Sequence, residues 1–382
     1  MIYLDNAATT QVFGNGSEAG IVHSSYLNFF GNPSSAYDIQ GINLRNEIND
    51  VRTNICMSIG SKDGKGVYFT SGGTEADNWA IKGVVVDAML KGKGNHIITT
   101  QIEHPAVLRT CEYLEKEYGV IVTYLPVNEC GLIDLQELED SITDNTIMIS
   151  IMAANNEIGT IQPLYEIGKI AKKHSILFHT DAVQAYMHIP IDVDEMGIDM
   201  LSASGHKIGA SKGIGFLYVR DGVKIQPLIH GGGQEIGMRS GTENVPGIMG
   251  LGATVNYHMS NFNEIYEKYY TLRRSAEMML LTEFGDRVKI NGANDKDSLP
   301  NILSVTFKDK SSSDILAFLE SMEIYASAGS ACSSGKDKNS HVLEAIGLND
   351  NECKSTIRFS FGLMNNIEEI EKLIKVLKYV IK

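Results

Sequence analysis

Between residues 60 and 220 short runs rich in β-branched residues keep returning, and most are separated by a stretch long enough for a helix. The runs are Gly66–Thr70, His96–Thr100, Val120–Tyr124, Ile147–Ile151, Ile176–His179 and Met200–Ser202, with Gly213–Val219 as a further one. Each has the length of a buried strand, so the alternation predicts an α/β fold around a mostly parallel sheet. After Gly252 the pattern changes. A helix is expected from about Tyr257 to Phe284, then strands at Arg287–Ile290 and Ile302–Phe307, a helix at Ser313–Met322 and a strand at Thr356–Phe361. A closing helix puts Ile367, Ile370, Leu373, Ile374, Leu377 and Ile381 on one face. This second pattern is that of a smaller α+β unit. The expected division is a large domain over 15–256 and a small one built from 1–14 and 257–382, which 382 residues accommodate.

Composition narrows the function classes. Lys and Arg number 33 against 47 Asp and Glu, a net charge of −14 with no compensating basic segment, which argues against a dedicated nucleic-acid binder. No apolar run approaches the roughly 18 residues of a membrane helix. The start, Met1-Ile-Tyr-Leu-Asp5, lacks the basic and apolar regions of a signal peptide. Cysteines at 56, 111, 130, 332 and 353 are too few and too scattered for a disulfide framework, and neither Cys-x-x-Cys nor His-Glu-x-x-His occurs. The expectation is a reduced, cytoplasmic, metal-free chain.

In open α/β sheets ligands collect beyond the carboxyl ends of the strands. There the sequence places Ser71-Gly-Gly-Thr-Glu75, Glu103-His104, Asn155-Asn-Glu157, Asp181 with Gln184, and Ser204-Gly-His-Lys207. Singly, each has a plain reading as a helix cap or a surface lysine. Together they suit one ligand. The phosphate-loop pattern is missing, since Gly60-Ser-Lys-Asp-Gly-Lys-Gly66 fails on spacing, and no Gly-x-Gly-x-x-Gly opens a helix after the first strand. Pyridoxal 5'-phosphate fits better. Its phosphate needs a helix N-terminus plus further donors, for which Gly73, Thr74, Ser204 and His206 are candidates. Its ring nitrogen needs a carboxylate, Asp181; its aldehyde needs an amine, Lys207; and His104 offers an aromatic platform.

Several motifs resemble the cysteine desulfurases of the NifS/IscS group, which are class V, fold-type I pyridoxal-phosphate enzymes. They are Tyr3-Leu-Asp-Asn-Ala-Ala-Thr-Thr10, Phe30-Gly-Asn-Pro-Ser-Ser35, Thr70-Ser-Gly-Gly-Thr-Glu-Ala-Asp-Asn78, Asn155-Asn-Glu-Ile-Gly159, Ser204-Gly-His-Lys207, His230-Gly-Gly-Gly-Gln234, Met238-Arg-Ser-Gly-Thr242 and Ser327-Ala-Gly-Ser-Ala-Cys332. The match runs essentially end to end, and it implies a seven-stranded sheet in the large domain. By this resemblance Lys207 bears the cofactor, Asp181 binds the ring nitrogen, His104 stacks on the ring, and Asn156 and Gln184 contact the ring oxygen. Thr74, Ser204 and His206 bind phosphate, and Thr242 reaches the partner subunit's phosphate across a homodimer interface. Arg358, aided by Asn32 and Asn156, holds the substrate carboxylate, a task for which a planar fork is suited.

The cysteines separate by context. Cys56 and Cys111 sit among apolar residues at helical spacing and read as core, Cys130 as a turn residue, and Cys353 lies in a polar stretch. Cys332 lies in Ala328–Ser340, which lacks a large apolar anchor and reads as an exposed loop. The resemblance makes Cys332 the nucleophile that takes sulfur from L-cysteine, leaving L-alanine and a persulfide, with His104 as proton shuttle. It implies a sulfur-acceptor protein, such as an iron–sulfur scaffold or a tRNA-thiolation protein. Two departures stand near the site: Lys207–Gly213 lacks the family's proline, and Ile236 replaces an arginine. An aminotransferase or selenocysteine lyase of the same class is the alternative enzyme, and a cofactor-free homologue the alternative of another class.

Overall fold

The computed structural model describes residues 1–12, 31–35, 37–328 and 339–381. Among these the strands are β1 (Ile2–Tyr3), β2 (Val67–Thr70), β3 (His96–Thr100), β4 (Ile121–Leu125), β5 (Thr146–Ser150), β6 (Leu177–Asp181), β7 (Met200–Ser204), β8 (Gly215–Val219), β9 (Val288–Asn291), β10 (Ile302–Phe307), β11 (Ile324–Tyr325) and β12 (Thr356–Ser360). The longer helices are α1 (Ile39–Ser58), α2 (Gly73–Lys91), α3 (Pro105–Tyr118), α4 (Leu135–Asp140), α5 (Leu164–His174), α6 (Val245–Phe284) and α7 (Ser312–Ser321). Short helices α8 (His341–Ala345) and α9 (Asp350–Cys353) precede the closing α10 (Ile367–Leu377).

Seven strands form one sheet in the order β2-β8-β7-β6-β5-β3-β4, and only β8 runs against the rest. The apolar runs are continuous because both faces are covered. Alternate residues point to opposite sides. Ile98, Ile149, Phe178, Leu201 and Phe216 enter one core with α1 and α5 residues such as Ile55 and Ile167. Ile97, Met148, Met200 and Leu217 enter another with Trp79, Ile81 and Cys111 of α2 and α3. The carboxyl ends of β2, β3, β5, β6 and β7 therefore share one edge.

A three-stranded antiparallel sheet, β12-β10-β9, has its own apolar core. There Val305, Phe307, Ile357 and Phe359 meet Leu272, Leu280, Leu319, Leu373 and Leu377. Ile2 and Leu4 join this core, and β1 pairs in parallel with β11.

Helix α6 begins at Val245, twelve residues before the sequence expectation. Glycines at 247, 250 and 252 lie in this first part of the helix and allow close packing: a Cβ on Gly252 would come within 2.5 Å of Val51 on α1. Asn244 caps the helix by accepting from Gly247 N at 3.2 Å, with Pro246 in the first turn. The helix breaks at Asn261, where φ is −122° and the side chain donates to the Tyr257 carbonyl at 2.8 Å. Cys353, in a polar stretch of sequence, is buried beside Val342 and Leu343. Among the described residues no helix is long and apolar enough to cross a membrane, and no group of three His, Cys, Asp or Glu could hold a metal ion.

Candidate active site

The shared strand edge gathers most of the residues singled out above. β2 passes directly into α2, where Gly73 is buried and Thr74 exposed at the first turn. A Cβ on Gly73 would lie 2.4 Å from Val183 Cγ2, so any larger residue there requires α2 or Val183 to shift. Ser204, buried at the end of β7, lies against the same turn, 3.7 Å from that position.

Asp181 ends β6 and is 5% exposed; its Oδ1 accepts from Val183 N at 2.9 Å. Burial raises its carboxyl above the usual range, opposed by the nearby His104 and Lys207. His104 is the N-cap of α3, its Nδ1 accepting from Ala106 N at 3.1 Å. That bond leaves Nε2 to carry the proton of the neutral ring. Burial holds His104 below the usual imidazole range, against the pull of Asp181 and with the push of Lys207. His104 thus caps α3 while lying near Asp181 and Lys207.

Lys207 sits on a 3₁₀ turn, Gly205–Lys207, after β7. Its Nζ donates to the carbonyls of Ala7 at 2.6 Å and Ala8 at 2.9 Å. Gln184 Nε2 also donates to Ala7 O, at 2.9 Å. His206 approaches Thr9 Oγ1 at 3.2 Å; burial, helped by Lys207, drops its ring to about 4, so it offers a hydrogen bond without a charge. Ala210 donates its N–H to Gly205 O at 3.0 Å, within the stretch that lacks the family's proline.

Arg358 on β12 points to the same region with a side chain 3% exposed. Its Nη2 donates to Asp5 Oδ1 and its Nη1 to the Asn156 carbonyl, both at 2.8 Å, while its Nε–H finds no acceptor among the described residues. Asn156 therefore meets Arg358 through its backbone. Ser327, at the start of the segment leading to Cys332, exchanges both backbone hydrogen bonds with Arg358, at 2.7 and 3.2 Å. Cys332 itself lies outside the described residues.

Two expected members stand apart. Asn32 is exposed and caps its own turn, its Oδ1 accepting from Ser34 N at 2.9 Å. Thr242 is exposed in a crevice lined also by Ser71, Gly213, Arg239 and Glu243. Ile236, with φ at 59°, is 82% exposed.

Under the site lies a buried polar layer in which Glu103, expected at the strand edge, is joined by Asp77 and His179, which sequence reasoning missed. Glu103 accepts from Thr100 Oγ1 and Met152 N, and burial raises it to about 8, so it is mostly protonated at neutral pH. Asp77 on α2 is 1% exposed, its Oδ1 3.8 Å from His179 Nε2; burial raises it well above the carboxylate range, with Asp181 adding repulsion and the Ser202 hydroxyl opposing. His179 bridges Ser150 at 2.9 Å and Ser202 at 3.0 Å, and burial lowers it to about 3. Asp5, within the quoted Tyr3–Thr10 motif, received no role. Its signal was a lone acid in an otherwise uncharged segment.

The residues present fit pyridoxal phosphate. A buried acid with one backbone donor suits a protonated ring nitrogen, the Gly73 turn leaves room for phosphate oxygens beside Ser204, and Lys207 supplies a primary amine.

Comparison with known proteins agrees. The chain matches the family "Aminotransferase class-V" over residues 2–373. It is 46% identical over 382 residues to "Cysteine desulfurase IscS" of Methanosarcina thermophila, covering 100% of this chain and 92% of that protein. A solved structure described as a NifS-like protein superposes with a TM-score of 0.90 at 36% identity, covering 99% of this chain and 98% of the other. Another, described as SspA in complex with cysteine, gives 0.82 at 38% identity, covering 94% and 99%. The chain belongs to the class-V aminotransferase family, whose members are generally pyridoxal-phosphate dependent, and within it to the cysteine desulfurases of the NifS/IscS group.

Proposed function

We propose that this protein is a cysteine desulfurase that binds pyridoxal phosphate at the shared strand edge. It removes sulfur from L-cysteine, giving L-alanine and a persulfide on Cys332. The observation that supports this reading best is the convergence of Lys207, Asp181 and His104 at one edge with Arg358 brought in from β12.

Bound there, pyridoxal phosphate supplies an electron sink that weakens first the Cα–H and then the Cβ–S bond of the substrate. Lys207 holds the cofactor aldehyde and, once released, takes and returns the proton at Cα. Asp181, ionised opposite the ring nitrogen, keeps the proton on that nitrogen. Gly73, Thr74, Ser204 and His206 orient the phosphate, with Thr242 serving the partner subunit's phosphate in a homodimer. Gln184 and Asn156 steady the ring oxygen. Arg358, assisted by Asn156 and Asn32, fixes the substrate carboxylate, which aligns Cα with the Lys207 amine. His104 moves a proton at the substrate sulfur through Nε2. Cys332 Sγ, as thiolate, bonds to that sulfur as the Cβ–S bond breaks. The persulfide then passes to an acceptor protein such as an iron–sulfur scaffold or a tRNA-thiolation protein.

The test is incubation with L-cysteine, with and without reductant, measuring alanine and sulfide for the wild type and Cys332→Ala. Equal alanine and reductant-released sulfide, lost together in the variant, supports the reading. A pyruvate product, or activity indifferent to Cys332, overturns it.

A further inference from the structure

Arg358 is buried, and among the described residues its one ion-paired carboxylate is that of Asp5, with Glu157 further off. The arginine side chain is 3% exposed, and an unpaired cation is strongly disfavoured in such a place. The compensating charge is Asp5, whose Oδ1 lies 2.8 Å from Nη2 and whose side chain is 19% exposed. The backbone of Asp5 is tethered on both sides. It bridges to Ser360 on the strand that carries Arg358, and its carbonyl accepts from Ala8 N at 3.1 Å. The next residue, Asn6, is pinned by its Nδ2 to Ser360 O at 3.0 Å. The same short segment meets Lys207 through Ala7 and Ala8. The other guanidinium contact, the Asn156 carbonyl, is uncharged. A substrate carboxylate arriving at Arg358 thus meets a cation that already has a counter-ion.

We propose that Asp5 is a specificity-determining residue that moderates the grip of Arg358 on the α-carboxylate of the amino-acid substrate and product. By sharing the guanidinium, it keeps the product carboxylate from being held as a sole counter-ion. This rests on the reading of Arg358 given above.

The test is a spectroscopic titration of the cofactor-loaded enzyme with L-alanine and with ethylamine, the same skeleton without a carboxylate. Asp5→Asn keeps an oxygen acceptor and removes the charge. Its Kd for L-alanine is expected to fall roughly three- to tenfold while that for ethylamine stays within about twofold. Unchanged or weaker alanine binding, or an equal shift for both amines, overturns the proposal. Asp5→Ser repeats the measurement should the Asn variant not fold. Arg358→Gln separates the two readings: if it keeps the wild-type preference for alanine over ethylamine, the role of Arg358 fails and this inference with it. If only the Asp5 variants miss their expected result, the inference alone fails.

Discussion

The two ends of the proposed site, a cofactor end and a substrate-carboxylate end, are built differently. The end that faces the cofactor draws on Gly73, His104, Asp181, Ser204 and Lys207, each within a few residues of a strand terminus in one sheet. Strand register alone delivers them to a common edge. The end that faces the substrate carboxylate is assembled from Asp5, Asn156 and Arg358, whose partners lie 353 and 202 positions apart in sequence. These are aligned by side-chain contacts and by isolated backbone bridges such as that of Asp5 with Ser360, not by the register of one sheet. The first end is rigid by construction, the second adjustable by single substitutions.

That contrast can be broken or sharpened by experiment. Lys207→Ala should have the largest effect: at least roughly a 10³-fold loss of alanine formation, with the cofactor becoming removable by dialysis. Retained activity would mean that another amine serves. Arg358→Gln should raise the KM for L-cysteine about 10- to 100-fold, near 1.4–2.8 kcal/mol, while kcat moves less. An equal fall in kcat would show that the two ends are not separable.

Glu103 tests the layer beneath. Its carboxyl is raised by burial to about 8, so the stability it permits is complete below the unfolded value near 4.5 and is lost as pH rises toward 8. Glu103→Gln keeps the oxygen that accepts from Thr100 and Met152 and removes the titration. Between pH 5 and 7 the wild type should lose up to about 2 kcal/mol relative to the variant, read from urea unfolding at each pH. Parallel curves would place the titration elsewhere. Gly73→Ala should have the smallest effect, weakening cofactor retention about tenfold as α2 shifts away from Val183. An unaltered Kd would show that the turn relaxes freely.

The same contrast explains what the sequence made legible. Strands β3 and β10 lie where their apolar runs predict, because a strand buried on both faces leaves an unbroken signature. Asp181, Lys207 and His104 were legible since each follows such a run. The start of α6 was hidden by glycines that serve helix packing, a property visible only once α1 is opposite. Asp77 and His179 were hidden because a polar residue within a helix or strand gives no hint of which face it occupies. Asp5 was hidden for the opposite reason: its meaning depends on a residue near the other end of the chain.

That dependence reaches into biosynthesis. Residues 5 and 358 are 353 positions apart, so the amino-terminal segment emerges from the ribosome long before the strand that anchors it exists. The sheet that holds Lys207 can form while the chain is still growing, but the contact between Asp5 and Arg358 cannot. Assembly of a selective pocket is therefore a late event in the life of each newly made molecule, and a truncated chain ending before β12 would be able to keep its lysine yet have no means of choosing a substrate.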